Sequence, residues 1–109
     1  MSNVLTDTPR TRAGRLEVRP DEFAALIDGR PMELTRRELE ILALLASRPD
    51  RIMPREELYE SIWGKPLTGA ERSVDVYVSR LRSKLADVLP DTEAIRTHPG
   101  IGYRFCYEG

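Results

Sequence analysis

Fourteen consecutive residues carry a concentrated positive charge that could bind an anionic partner. Residues 72–85 hold four basic side chains and one acidic one, a net charge of +3, whereas the 109-residue chain has a formal charge of −1. The basic residues are Arg72, Arg80, Arg82 and Lys84. Arginine can donate two parallel hydrogen bonds to guanine O6 and N7, and either cation can bind a phosphate. The charge alone fits nucleic acid or an ordinary solvated helix surface equally well.

The spacing within this stretch predicts an amphipathic helix that runs to about residue 88. At about 100° per residue, apolar side chains fall on one face, which predicts that this face packs into the core. These side chains are Val74, Tyr77, Val78, Leu81, Leu85 and Val88. The opposite face carries Arg72, Val76, Ser79, Arg80 and Ser83, with Arg82 and Lys84 on its flanks. Serine can bond a base edge and valine can contact a thymine methyl group, so this outer face has the chemistry of a major-groove reader.

Composition narrows the class of protein. The chain is 40% hydrophobic and 32% charged, which is typical of a globular domain, and 109 residues suffice for one domain. No run approaches the roughly 18 apolar residues that span a membrane, and no apolar signal segment begins the chain. The lone Cys106 fits a reducing, cytoplasmic location. With one histidine, one cysteine and no phosphate-binding loop, we expect no metal, no cofactor and no enzymatic activity.

Two shorter helices are predicted ahead of the basic one. Thr35 and Glu38 have the spacing of a capping box, and an apolar helical pattern follows until Pro49 ends it. A second helix is predicted from residue 54 or 55 to about residue 63. The third, basic helix begins either near residue 68, at another possible capping box, or slightly later, with Ser73 as its cap. Two helices joined by a short connection, the second of them basic, resemble a helix-turn-helix.

Short strands flank the helices. Alternating polar and apolar residues predict strands at 15–18 and 32–34, and another strand is predicted at 24–27, after a turn at 20–22. Asp28-Gly29 is a tight-hairpin signal. After the third helix, strands are predicted at 94–98 and 102–107, joined by a proline-glycine turn. This order predicts an α+β fold: a winged helix-turn-helix with an N-terminal antiparallel sheet, a three-helix core and a C-terminal β-hairpin wing.

The first residues differ in character from the rest. Residues 1–14 are mostly polar and contain Pro9 and Gly14, so they are predicted to be a flexible tail or a linker. The sequence has no internal repeat and no low-complexity segment. We therefore expect one winged-helix domain over residues 15–109.

Four stretches, in this order, resemble the OmpR/PhoB-type effector domain of two-component response regulators. They are Leu34–Glu38, Arg55–Leu58 with Ile62–Gly64, Arg72–Leu85, and Ile95–Thr97 with Gly100–Phe105. The resemblance implies sequence-specific binding of double-stranded DNA for bacterial transcription regulation. It implies that the third helix enters the major groove and that the wing approaches the minor groove. It also implies that loop 64–71 meets RNA polymerase and that two domains lie head-to-tail on DNA as a homodimer.

Three features depart from that family pattern. Tyr77 stands where histidine is common, and since this position faces the core we expect little change. Pro99 stands where the family usually has an arginine that inserts into the minor groove, so no such insertion is expected here. The 109 residues contain no phosphorylatable receiver domain ahead of the effector domain. Two interpretations stay open: the sequence is a piece of a longer response regulator, or it is a stand-alone regulator.

Three residues outside the third helix complete the predicted DNA-binding set. They are Arg55, Thr97 and Arg104, of which the last could equally stabilise the hairpin. Asp75 lies near the start of the third helix, where the helix dipole stabilises a negative side chain. Its carboxylate could also hold Arg72 or Arg80 in place. Trp63 and Tyr103 could stack on bases, but in a small domain such aromatic residues are more typical of the core.

A second function stays open at this point. The chain has a pI near 5.9, whereas a DNA-binding domain often has a pI above ~9, and its wing lacks the usual arginine. Both features fit a winged-helix protein-interaction module with weak DNA affinity. Salt-insensitive binding to a protein, without binding to DNA, would favour that alternative.

Overall fold

The computed structural model describes residues 4–68, 72–90 and 92–107, in which two antiparallel sheets flank a set of helices. The helices are α1 (Val4–Asp7), α2 (Arg36–Ala46), α3 (Arg55–Trp63) and α4 (Ser73–Val88). The strands are β1 (Thr11–Ala13), β2 (Leu16–Arg19), β3 (Ala24–Ile27), β4 (Arg30–Pro31), β5 (Ile52–Pro54), β6 (Ile95–His98) and β7 (Gly102–Phe105). None of the described helices is long and apolar enough to cross a membrane.

The N-terminal sheet has the strand order β1-β2-β3-β4. Its alternating pattern buries Leu16 and Val18 of β2 on the core side. Asp28 and Gly29 form the predicted hairpin loop, and both have a positive φ, as a two-residue type I′ turn requires. The prediction of a strand at 32–34 is wrong, because β4 covers only Arg30–Pro31 and the chain then leads to the start of α2.

The prediction of a flexible tail or linker over residues 1–14 is wrong for residues 4–13. Val4 and Leu5 of α1 are buried in the core, and β1 pairs with β2 along its whole length. Two apolar residues among polar ones give no periodic signal, and their burial depends on α2, which lies far away in sequence. Residues 1–3 lie outside the described part of the chain.

The helix boundaries follow local sequence signals. The capping box of α2 is confirmed: the Glu38 amide donates to Thr35 Oγ1 at 3.3 Å, and the Thr35 amide donates to Glu38 Oε1 at 2.8 Å. Helix α3 begins after Pro54 and ends at Gly64, which adopts the left-handed conformation. Helix α4 begins at Ser73, closer to the later of the two predicted starts. The prediction that Ser73 caps the helix is wrong, because Arg72 is the N-cap residue and its side chain makes no capping hydrogen bond. Residues 69–71 of the alternative capping box lie outside the described residues.

The second sheet has the order β5-β7-β6 and contains the wing, defined here as β6, β7 and the turn 99–101. The predicted hairpin is confirmed, with Pro99 and Gly100 in its turn and the Ile101 amide bonded to the His98 carbonyl at 2.9 Å. Strand β5 was not predicted, because three residues that include a proline give no strand pattern. It lies so close to Gly102 that a Cβ there would meet the Met53 carbonyl oxygen at 2.0 Å.

Helix α4 packs against α2 and α3 with one face in the core. Four side chains of its predicted apolar face are buried and the other two, Tyr77 and Val88, are partly buried. The fold is therefore the predicted α+β winged helix-turn-helix. Its architecture leaves the opposite face of α4 next to the wing and open to solvent.

Candidate nucleic-acid interface

The outer face of α4 is exposed as predicted. It consists of five side chains that share this exposure: Arg72, Val76, Ser79, Arg80 and Ser83. Val76 is 44% exposed, whereas the large apolar side chains on the opposite face of the helix pack inwards. From residue 72 to residue 83 the helix rises roughly 16 Å at 1.5 Å per residue. This face offers donors and one apolar contact over a length that fits a major groove.

Arg82 and Thr97 lie at the junction between α4 and the wing. The Arg82 guanidinium donates a hydrogen bond to Thr97 Oγ1, and its Cζ lies 5.6 Å from the ring centroid of Tyr103. Sequence reasoning assigned Arg82 and Thr97 to DNA contacts separately, and the structure brings them together. The pair therefore fixes the wing against α4, and it also lines the exposed edge of the junction between them.

Asp75 joins three elements of the fold. Its carboxylate accepts two hydrogen bonds from Arg55 at the start of α3, at 3.0 and 2.7 Å, and one from the Tyr103 hydroxyl on β7. Burial works to raise the pKa of Asp75, but the hydrogen bonds from Tyr103 and Arg55 outweigh it, so the pKa lies below its usual value. Burial and the neighbouring carboxylate raise the pKa of Tyr103 to about 12. The expectation that Asp75 holds Arg72 or Arg80 is wrong: its carboxylate is bonded to Arg55 and Tyr103. Arg72 contributes only through its charge, which helps to lower the pKa of Asp75.

Lys84 lies on the other flank of α4, away from the wing. Its Nζ is 2.6 Å from Glu38 Oε1, and the Glu38 side chain is only 1% exposed. Burial favours a higher pKa for Glu38, but the hydrogen bonds from Lys84 and from the Thr35 amide outweigh it and lower the pKa. Across an adjoining groove Lys84 faces the N-terminal sheet, with Ile27 of β3 and Arg30 of β4 among the lining residues. The structure thus separates Lys84 from the wing-side residues.

Arg104 is also separated from α4. Side chains alternate along a strand, and Tyr103 faces the core and α4, so Arg104 lies on the outer surface of the wing sheet. There it stands directly across from Arg96 on β6 and from Ile52 on β5. Arg104 therefore does not share a surface with Arg80.

Sequence reasoning missed an aromatic group beneath the outer face. Tyr77 is partly buried as predicted, but the guanidinium of Arg80 lies over its ring, and the ring itself packs against Trp63. The spacing of three residues between Tyr77 and Arg80 was a usable signal, because such residues are neighbours on a helix. The wing also presents an unexpected apolar tip, where Pro99 is exposed and Ile101 is 54% exposed.

The described residues hold no metal-binding group that competes with this surface. No three histidine, cysteine, aspartate or glutamate side chains among them form a group suited to a metal ion. Cys106 is half-buried in a free state, with its Sγ 3.6 Å from the Arg104 carbonyl oxygen. The outer face of α4 together with the wing is therefore the candidate site.

A family model described as "Transcriptional regulatory protein, C terminal" matches residues 29–105, which include α2, α3, α4 and the wing. The chain belongs to this family, the OmpR/PhoB-type effector domains. Among the curated relatives of this effector domain is the regulatory protein VanRB of Enterococcus faecalis, 38% identical over 93 residues, which are 85% of this chain and 40% of that protein. Another is the transcriptional regulatory protein CreB of Escherichia coli, 37% identical over 100 residues, covering 90% of this chain and 43% of CreB. The effector domain thus spans about two fifths of these relatives.

Solved structures agree with this assignment. The DNA-binding domain of CpxR from E. coli superposes with a TM-score of 0.83 at 31% identity, covering 94% of this chain and all of that one. The Klebsiella pneumoniae RstA DNA-binding domain, solved in complex with the RstA box, gives a TM-score of 0.79 at 32% identity, covering 89% of this chain and 96% of that one. The effector domain therefore has the fold of known DNA-binding domains at a level of identity that supports homology.

Proposed function

We propose that this effector domain regulates transcription by binding a specific sequence in duplex DNA, with α4 in the major groove and the wing beside the minor groove. The observation that carries the proposal is the outer face of α4, which exposes arginines, serines and a valine beside a hairpin wing. Membership of a family of transcriptional regulators, and likeness to a domain solved on its DNA, support the same function.

The residues have different roles in this proposal. Base contacts belong to the outer face of α4, with Arg72 and Arg80 as donors and Val76, Ser79 and Ser83 on the base-facing side. Phosphate contacts belong to the junction with the wing, through Arg82 and Thr97, and to Arg55 at the start of α3. Lys84 and Arg104 complete the predicted set. Because they face the N-terminal sheet and the outer wing surface, we expect their replacement to change DNA affinity least.

The wing has a different chemistry from the one the family resemblance implies. Its turn, residues 99–101, carries the apolar side chains of Pro99 and Ile101 and no cation. Apolar residues can contact the walls of a minor groove, but they release no counterions. We therefore assign most of the salt-dependent affinity to α4 and its junction with the wing.

The proposal extends to protein partners and location. Loop 64–71 is the segment proposed to meet RNA polymerase, and its described residues 64–68 are largely exposed. A head-to-tail homodimer on direct repeats is proposed for the DNA-bound state. A chromosomal operator in a bacterium implies a cytoplasmic location.

Selection from a random duplex library, followed by titration of the winning sequence at two salt concentrations, tests the proposal. Arg80→Ala should weaken binding by about 1–3 kcal/mol and relax specificity at one base position. Arg12→Ala, which removes the same charge from an exposed position on β1, is the matched control and should retain the specificity. Enrichment of no sequence, together with salt-insensitive capture of a protein partner, would instead favour a protein-interaction module.

A further inference from the structure

Arg80 does not extend freely from the outer face of α4. Its Cζ lies 5.6 Å from the ring centroid of Tyr77, one helical turn earlier. A ring face carries partial negative charge, so it attracts a guanidinium group placed above it. The side chain proposed to read a base is therefore already oriented in the free protein.

The ring of Tyr77 is itself held in place by a row of aromatic contacts. Its centroid lies 6.0 Å from that of Trp63, and Trp63 stacks on Tyr59 at 4.8 Å with the ring planes 7° apart. Tyr59 is only 4% exposed, so the row is anchored in the core. The Arg37 guanidinium lies 4.7 Å from the Trp63 ring and also donates to the Ile62 carbonyl oxygen at 3.1 Å. Tyr77 thus has little freedom to move when Arg80 changes its contacts.

We propose that Tyr77 is a positioning residue for DNA recognition: its ring holds the Arg80 guanidinium in the orientation that reads a base. This inference rests on the proposed function, in which Arg80 contacts DNA. Tyr77 takes part through Arg80, since its ring lies between the core and the outer face.

Stacking of this kind improves binding by reducing the cost of ordering a long side chain. Arginine loses rotamer freedom when it forms two directional hydrogen bonds, and a side chain that is ordered beforehand loses less. The effect needs the face of an aromatic ring, whereas the phenolic hydroxyl contributes nothing to it. Phenylalanine at this position should therefore preserve the effect, and leucine, which keeps an apolar side chain against the core, should abolish it.

Titration of the selected duplex with Tyr77→Phe, Tyr77→Leu, Arg80→Ala and the double variant Tyr77→Leu/Arg80→Ala tests this role. We expect Tyr77→Phe to bind as the unmodified protein does. Tyr77→Leu should bind two- to five-fold more weakly, which corresponds to the ~0.5–1 kcal/mol of an exposed cation–π contact, and should discriminate less at the base that Arg80 reads. The double variant should bind no more weakly than Arg80→Ala, because the two changes remove one interaction.

A measurement without DNA separates this inference from the proposed function. In the NMR spectrum of the free domain, the ring current of residue 77 should shift the Arg80 side-chain protons upfield in the unmodified protein and in Tyr77→Phe, but not in Tyr77→Leu. If a sequence is selected and Tyr77→Leu binds it normally, the positioning role is overturned while the proposed function stands. A loss in Tyr77→Leu that persists in the Arg80→Ala background would also overturn it, since Tyr77 would then act on the fold or on DNA directly. If no sequence is selected, the proposed function fails, and the role of Tyr77 fails with it.

Discussion

At the scale of single residues, the cationic side chains in and around α4 fall into two groups. Arg72 and Arg80 are exposed and form no ion pair with other described residues, which leaves them available to a partner. Arg55, Arg82 and Lys84 instead bind groups of the domain itself. The sequence predicted all of these cations as DNA-binding residues but could not tell the available ones from those bonded within the domain. The reason is that the internal partners lie 15 to 46 residues away in sequence.

Lys84 should matter more for stability than for DNA binding. Lys84→Ala leaves the Glu38 carboxylate buried without its cationic partner, so we expect the free energy of unfolding to fall by about 1–3 kcal/mol. Urea denaturation measures this change. Lys65→Ala, at an exposed position, is the matched control and should leave stability unchanged. Equal stability of the two variants would show that the Glu38–Lys84 contact contributes nothing.

Asp75 should make the domain sensitive to acid. Its pKa is lowered in the folded state, so its stabilising contribution is complete above the unfolded value of about 4 and is lost as the pH falls through the folded pKa. Asp75→Asn should therefore lose less stability than the unmodified protein when the pH falls from about 5 to about 2. Thermal unfolding across this range measures it, with Asp87→Asn on the exposed side of α4 as the control. Parallel pH profiles for Asp75→Asn and the unmodified protein would contradict this role.

At the scale of elements, local signals predicted what local interactions determine. The Thr35–Glu38 capping box, the Asp28-Gly29 turn and the apolar face of α4 each depend on neighbours within a few residues. Helix α1 and strands β1 and β5 were missed because they are three or four residues long and depend on distant partners. Strand β5 forms only because β7 pairs with it, about 50 residues later in the chain.

Gly102 should be required for the second sheet. An alanine Cβ there would meet the Met53 carbonyl oxygen at 2.0 Å, and this neighbour is backbone that cannot rotate away. We expect Gly102→Ala to lower the free energy of unfolding by at least about 2 kcal/mol, at the upper end of overpacking costs. Differential scanning calorimetry measures the loss. Gly29→Asn, which strains a positive-φ backbone but meets no atom within 4 Å, is the control and should lose less stability.

A positive charge introduced at the wing tip should strengthen DNA binding. Pro99→Arg restores an arginine where the family usually has one, so we expect tighter DNA binding and a steeper salt dependence, by roughly one unit in the slope of log K against log salt. Pro90→Arg adds the same charge at an exposed position after α4 and serves as the control. Titrations at several salt concentrations compare the two slopes. An equal gain from both variants would mean that only overall charge matters and that the wing tip does not approach DNA.

At the scale of the whole molecule, the formal charge of −1 conceals an uneven distribution. Three arginines in and beside the N-terminal sheet are neutralised locally: Arg10 by Asp21 and Glu22, Arg15 by Asp28, and Arg19 by Glu17. The outer face of α4 keeps its exposed arginines. A low pI is therefore compatible with a DNA-binding surface, because affinity depends on the charge facing the phosphates and not on the sum.

Dimethyl sulfate footprinting on the selected duplex tests most directly whether Arg80 of α4 reads a base in the major groove. This reagent methylates guanine N7 from the major groove and adenine N3 from the minor groove. We expect protection of guanine N7 within the site, with protection at one guanine lost in Arg80→Ala and the rest retained at saturating protein. Guanine protection that is unchanged in Arg80→Ala, or protection confined to adenine N3, would contradict it.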